Sequence, residues 1–206
     1  MRSFLGGMNV NLDDIRKKKK TRIKKRFIFR TSILAILVAA IIFALVTNLT
    51  KDKTIYRVGD QAPDFRLEQI NKYHQLETIQ LSDTHGKGVM LNFWATYCEP
   101  CEKEMPYMEK LYADYQEKGI EILAVNLGEA KLTVDRFIDK HRLTFPVLHD
   151  RKGQVTDLYK IGPMPTTYFI DPEGNIVEKV EGALTLDRLE GYFMEILPKD
   201  YEVSSK

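Results

Sequence analysis

Ten basic residues and no acid lie between Arg16 and Arg30, and they run directly into twenty residues, Thr31 to Thr50, that carry no charge. Fourteen of those twenty, Ile33 to Val46, are consecutive and apolar. At about 1.5 Å rise per residue, a helix of that length matches the roughly 30 Å hydrocarbon thickness of a bilayer. Lys and Arg beside a membrane-crossing helix stay on the cytoplasmic side. The pattern therefore predicts a basic cytoplasmic segment over 1–30, a single-pass transmembrane anchor in the lipid bilayer over 31–50, and everything after it outside the cytoplasm. A cleaved signal peptide would have a shorter apolar core, about 7–15 residues, ending at a small-x-small site. Ala44-Leu45-Val46-Thr47-Asn48 fits that poorly, and no cysteine follows closely enough for a lipid anchor. A basic run by itself reads as a nucleic-acid-binding or solvated tail. Once topology accounts for it, no nucleic-acid partner is expected.

The net charge of +2 over 206 residues hides this division: residues 1–50 carry +9 and residues 51–206 carry −7. With 44% hydrophobic residues the chain is no disordered polyelectrolyte, and two cysteines cannot make a disulfide-stapled miniprotein. After a polar linker over 51–57, residues 58–200 suffice for one domain with a single core, followed by a tail at 201–206.

Within that domain Asp64–Leu67 and Leu76–Leu81 are expected to form a leading hairpin around Asn71. Val89–Trp94 is almost continuously apolar, as a strand covered on both faces should be. Glu99–Lys118 is helical in pattern and stops at Gly119, and Ile120–Val125 is a second buried strand. Lys131–Arg142 and Gln154–Lys160 read as helices. Thr167–Ile170 and Ile176–Val180 flank the turn Asp171-Pro172-Glu173-Gly174-Asn175 and pair as a hairpin. Leu186–Leu197 closes the chain as an amphipathic helix. Strand and helix alternation followed by a hairpin and a last helix predicts an α/β fold, a central sheet with helices on both faces.

Cys98 and Cys101 are the only cysteines, in one Cys-Glu-Pro-Cys motif between a buried strand and a helix start. Outside the cytoplasm such a pair can cycle between dithiol and disulfide. A zinc site would need two more ligands, and His74, His85, His141 and His149 show no ligand spacing; no metal and no cofactor beyond the cysteine pair are expected. At the helix N-terminus, unpaired amides and the helix dipole favour a Cys98 thiolate. Pro100 is tolerated there because first-turn amides lack intrahelical partners. Cys98 is thus expected to attack a substrate disulfide and Cys101, one turn deeper, to resolve the mixed disulfide. Positions 101, 104, 108 and 111 share a helix face, and three of them are suited to burial, so Glu104 should face inward beside the resolving thiol. Desolvation would raise its pKa and let it exchange protons with the thiols. Glu102 reads as a solvated first-turn acid. Pro106 should kink the helix, and Pro165, just before a strand, is a candidate cis bond.

Ala62-Pro63-Asp64-Phe65, Leu91 to Cys101, Lys103-Glu104-Met105-Pro106 and Met164-Pro165-Thr166-Thr167-Tyr168-Phe169-Ile170 together resemble the thioredoxin-like family that includes TlpA and ResA, over about residues 58–197. The Cys-Glu-Pro-Cys motif and Glu104 are shared with its ResA-type members. The resemblance implies a thioredoxin fold with a central mixed sheet, an added N-terminal hairpin and a helical insert near 128–142. It also implies a cis bond before Pro165 opposite Cys98, an active-site role for Glu104, and a substrate-facing surface formed by Met164, Pro165, Trp94 and Glu99. By the same resemblance the substrate is the oxidised Cys-x-x-Cys-His of apocytochrome c, reduced so that haem can be attached, and a CcdA-like membrane thiol carrier donates the electrons. Tyr97 stands where many relatives have Trp, and the Ile70–Thr78 region is longer than usual.

Glu99 places a negative charge between the thiols, which disfavours the Cys98 thiolate and points to a reductant. The same chemistry on another envelope or spore client is the nearest alternative. Copper binding by Cys98, Cys101 and His149, or a peroxidase suggested by the Ala-Pro-Asp-Phe start, would be different classes of activity. The peroxidase relatives use a cysteine in another context, without a vicinal Cys-x-x-Cys.

Overall fold

The computed structural model describes residues 29–43, 56–70 and 77–199. The chain divides into two units, Met1–Thr54 and Ile55–Lys206. In the first, residues 29–43 form a helix, α1, whose apolar side chains, among them Leu34, Ile36, Ile41 and Phe43, are exposed. Among the described residues no helix is long and apolar enough to cross a membrane. The expected span continues past residue 43 into 44–50, outside the described residues, as do the basic segment up to residue 28, most of the linker, and the tail.

The second unit holds a seven-stranded mixed sheet in the order β2-β1-β5-β4-β3-β6-β7, with β1 Arg66–Ile70, β2 Glu77–Gln80, β3 Gly88–Trp94, β4 Ile120–Asn126, β5 Val147–His149, β6 Thr166–Ile170 and β7 Ile176–Glu181. β3, β4 and β5 run parallel; the other pairings are antiparallel. Every residue of β3 and β4 is buried, as their predominantly apolar patterns, interrupted by Asn92, Glu121 and Asn126, require of strands covered on both faces. Met90, Trp94, Ile122 and Ala124 pack on one side with α2 (Glu99–Tyr115), α3 (Lys131–His141) and α5 (Leu186–Glu195). Val89, Leu91, Phe93, Leu123 and Val125 pack on the other with Phe65, Tyr159, Tyr168 and Val155 of α4 (Gln154–Leu158). The period-two alternation of each strand feeds both cores.

The expected elements form, with ends shifted by one to three residues. The leading hairpin lies at Arg66–Ile70 and Glu77–Gln80, while its Asn71 turn is outside the described residues. The helix after the cysteines gives way at Gln116 to a 3-10 turn that ends at Gly119, whose φ of 89° favours glycine. β5 was not anticipated: three residues are too few to display a period. It nevertheless joins the leading hairpin to the central strands, pairing with β1 on one side and β4 on the other.

Candidate active site

β3 ends at Trp94 and the chain turns through Ala95–Tyr97 into α2, with the Cys98 amide donating to Ala95 O at 3.2 Å. Cys98 is the N-cap residue of α2, and its Sγ accepts from the Cys101 amide at 3.3 Å. Pro100 sits in the first turn, where its missing N–H goes unneeded. The two sulfurs form a disulfide, with Cα atoms 5.2 Å apart. Cys98 retains 8% exposure and Cys101 none, so of the two residues only Cys98 touches the surface. An exposed ring, Tyr97, precedes it.

Glu104 is fully buried one turn beyond Cys101, as the helical face predicts. Its Oε1 accepts from Asn92 Nδ2 at 2.8 Å and its Oε2 from the Leu184 amide at 3.1 Å. Burial pushes the carboxyl up to about 7, against the lowering effect of those two donors. A carboxyl in that range can hold or release a proton near neutral pH.

The register of β3 on β6 sets Phe93 opposite Thr166, which brings the segment before β6 to the sheet end where the cysteine loop begins. The Met164–Pro165 bond there is cis. Pro165 is buried and its carbonyl accepts from the Gly182 amide at 2.8 Å. Met164 is half-buried against the core cluster that contains both cysteines.

Trp94, expected on the substrate-facing surface, is instead fully buried, with its ring 4.8 Å from that of Phe137. As an inward residue of a strand covered on both sides it packs beneath the loop. Glu102 is likewise more than a solvated acid: it meets Lys140 at 2.7 Å and His141 at 3.0 Å, joining α2 to α3. Glu99 projects into solvent and pairs with Lys103 at 2.8 Å, which holds its carboxyl below the usual range. Its effect on Cys98 is therefore offset by a cation and screened by water, so Glu99 contributes little to the redox direction.

Two contributors escaped the sequence reading. Asn92 is the polar residue of β3, and a buried amide in an apolar strand must find partners, a signal open to inspection. Glu129, in the loop after β4, accepts from the Thr96 amide at 2.6 Å, from Thr96 Oγ1 at 2.5 Å and from Asn126 Nδ2 at 2.8 Å. It clamps the cysteine loop to the end of β4. His149 is engaged elsewhere, its Nε2 2.7 Å from Glu129 O. Among the described residues no group of three or more His, Cys, Asp or Glu is arranged to hold a metal ion.

A disulfide that links a helix N-cap cysteine at the surface edge to a fully buried one, on a thioredoxin-like sheet, defines a thiol-disulfide oxidoreductase. The chain belongs to the AhpC/TSA family, whose match spans residues 58–179, and within it to the ResA-like thioredoxin-type proteins. The thiol-disulfide oxidoreductase ResA of Oceanobacillus iheyensis is 62% identical over 192 residues, covering 93% of this chain and 99% of that protein. The protein of the same name from Bacillus subtilis is 42% identical over 175 residues, 85% of this chain and 96% of its own. Among solved structures, one from Chlorobium tepidum assigned as a thiol:disulfide interchange protein DsbE superposes with a TM-score of 0.62 at 34% identity, over 68% of this chain and 98% of that one.

Proposed function

We propose that this protein is a membrane-anchored, extracytoplasmic reductase that opens the disulfide of the haem-binding Cys-x-x-Cys-His motif in apocytochrome c. The observation that carries the reading is the Cys98–Cys101 disulfide at the start of α2, one turn from the buried carboxyl of Glu104. In the reduced protein the Cys98 thiolate attacks one client sulfur. A Cys98–client bond forms, the client disulfide breaks, and the departing client thiolate takes up a proton. The Glu104 carboxylate then accepts the proton of the Cys101 thiol, and Cys101 Sγ attacks Cys98 Sγ. The Cys98–Cys101 disulfide reforms, the second client sulfur leaves as a thiolate that takes up a proton, and two electrons have passed to the client. A CcdA-like membrane thiol carrier restores the dithiol.

Met164 and Pro165, just before β6, and Glu99, at the start of α2, stand at or near the sheet end where the client docks. The uncharged run Thr31–Thr50, the exposed apolar surface of α1 and the preceding basic cluster support an anchor with its N-terminus in the cytoplasm. The likeness to ResA-type proteins supports the client and the reducing direction.

Trapping in cells tests the reading. Cys101→Ser should hold apocytochrome c in a mixed disulfide at Cys98, and Cys98→Ser should hold nothing. Capture of a different envelope or spore client would move the substrate, and capture by Cys98→Ser alone would reverse the thiol roles. The reduction potential should lie at about −250 mV or below; about −120 mV would mark an oxidant. The chain should also resist alkaline extraction from membranes, with its C-terminal domain open to protease added outside the cell.

A further inference from the structure

Asn92 is fully buried in β3, and its Nδ2 donates both to Glu104 Oε1 at 2.8 Å and to Thr167 Oγ1 on β6 at 3.0 Å. Its Oδ1 is buried without a hydrogen-bond partner among the described residues. Buried polar atoms are rarely left so, and an unpaired acceptor on an amide that touches a titrating carboxyl calls for a physical reason. Glu104 supplies one, because it has two protonation states. Ionised, it can only accept, and it takes an N–H from Asn92; protonated, it carries an O–H that needs an acceptor. A half-turn of the Asn92 amide about χ2 exchanges Oδ1 and Nδ2. Oδ1 then faces the Glu104 O–H, and the Thr167 hydroxyl, which can donate as well as accept, bonds to the same oxygen, while Nδ2 takes the unpartnered position that Oδ1 leaves.

We propose that Asn92 is a positioning residue that offers Glu104 an N–H when the carboxyl is ionised and a C=O when it is protonated, and so sets the pH at which that carboxyl exchanges its proton. The inference rests on the reading of Glu104 as proton acceptor for Cys101. Of the other groups facing Glu104, the Leu184 amide from the β7–α5 connection donates to Oε2, and Thr167 of β6 does not titrate. Cys101, on the same helix face, is held in the disulfide. Among the described residues, the carboxyl is shifted by its burial, the Leu184 amide and the Asn92 side chain. The Tyr115–Glu190 contact between α2 and α5 lies about three turns farther along α2.

The test follows the Glu104 carboxyl carbon and the Asn92 side-chain nitrogen by NMR across pH, in the full oxidised chain held in detergent micelles. Both should inflect at one pH in the unaltered protein. Asn92→Leu removes, at similar volume, both the charge-assisted donor to the carboxylate and the weaker neutral acceptor for the protonated form, and the net loss should move the Glu104 inflection upward by about one pH unit, tenfold in proton affinity. An Asn92 nitrogen insensitive to the Glu104 titration overturns the proposal without any variant, so a failure of Asn92→Leu to fold does not protect it. An unmoved inflection in folded Asn92→Leu also overturns it. Thiol alkylation of the reduced protein separates this inference from the one beneath it. If the Glu104 inflection moves while the pH profile of alkylation stays, Asn92 keeps its role and Glu104 loses its own.

Discussion

Replacing Glu104 with glutamine should flatten the pH dependence of stability of the oxidised protein. Burial lifts the carboxyl from 4.5 to about 7 in the folded state, whereas the unfolded chain releases the same proton near its ordinary value. Between those limits the folded state holds a proton that the unfolded state has lost. The contribution is therefore fully present below the unfolded pKa, falls as pH rises, and is gone above about 7. At about 1.4 kcal/mol per pH unit over that interval, the loss comes to about 3 kcal/mol, an order-of-magnitude figure for one group. For a folded unit of this size that corresponds to roughly 6–12 °C in Tm. Denaturant unfolding of the oxidised protein and of Glu104→Gln between about pH 4.5 and 8 isolates the effect, since the remaining carboxylates cancel in the difference. The variant starts from a constant offset, because its amide nitrogen replaces one acceptor oxygen facing Asn92 or Leu184. The difference curve should nonetheless slope between about 4.5 and 7 and level off above 7, with glutamine gaining on the native residue toward alkaline pH. Parallel curves, or a slope that has already ended by about pH 5, would refute the conclusion that burial dominates this carboxyl.

Two further substitutions probe the frame around the site. A Cβ at Gly88 would lie 2.1 Å from Ile196 O and 2.8 Å from Ile120 Cδ1, so Gly88→Ala should lower stability by at least about 3 kcal/mol, read from the denaturant midpoint. An unchanged midpoint would mean that β3 and the end of α5 do not approach so closely. Glu129→Ala removes the acceptor for the Thr96 amide, the Thr96 hydroxyl and Asn126, and should cost about 2–4 kcal/mol and alter the alkylation rate of reduced Cys98. Glu129→Gln, which keeps one acceptor oxygen, should recover part of both; a loss under about 0.5 kcal/mol in the alanine variant would contradict the clamp.

Legibility followed range along the chain. The Cys-Glu-Pro-Cys turn, the strand before it, the helix after it and the inward direction of Glu104 all depend on neighbours within a few residues, where periods of two and 3.6 are visible. The burial of Trp94 against Phe137 was not legible, because motif membership says nothing about which side of a doubly covered strand a residue occupies or what lies over it. β5 was missed because it exists through its partners rather than through its own pattern.

From the sequence alone, then, came the charge asymmetry of the chain, the redox pair, its order at a helix start and a carboxyl turned into the core. The tertiary structure decided the environment that gives those groups their chemistry. Asn92 meets Thr167 across 75 positions, Leu184 reaches Glu104 across 80, and Glu129 holds Thr96 across 33. A carboxyl's proton affinity depends on how much water is excluded and which donors remain, and both are set by residues that only the folded sheet brings together.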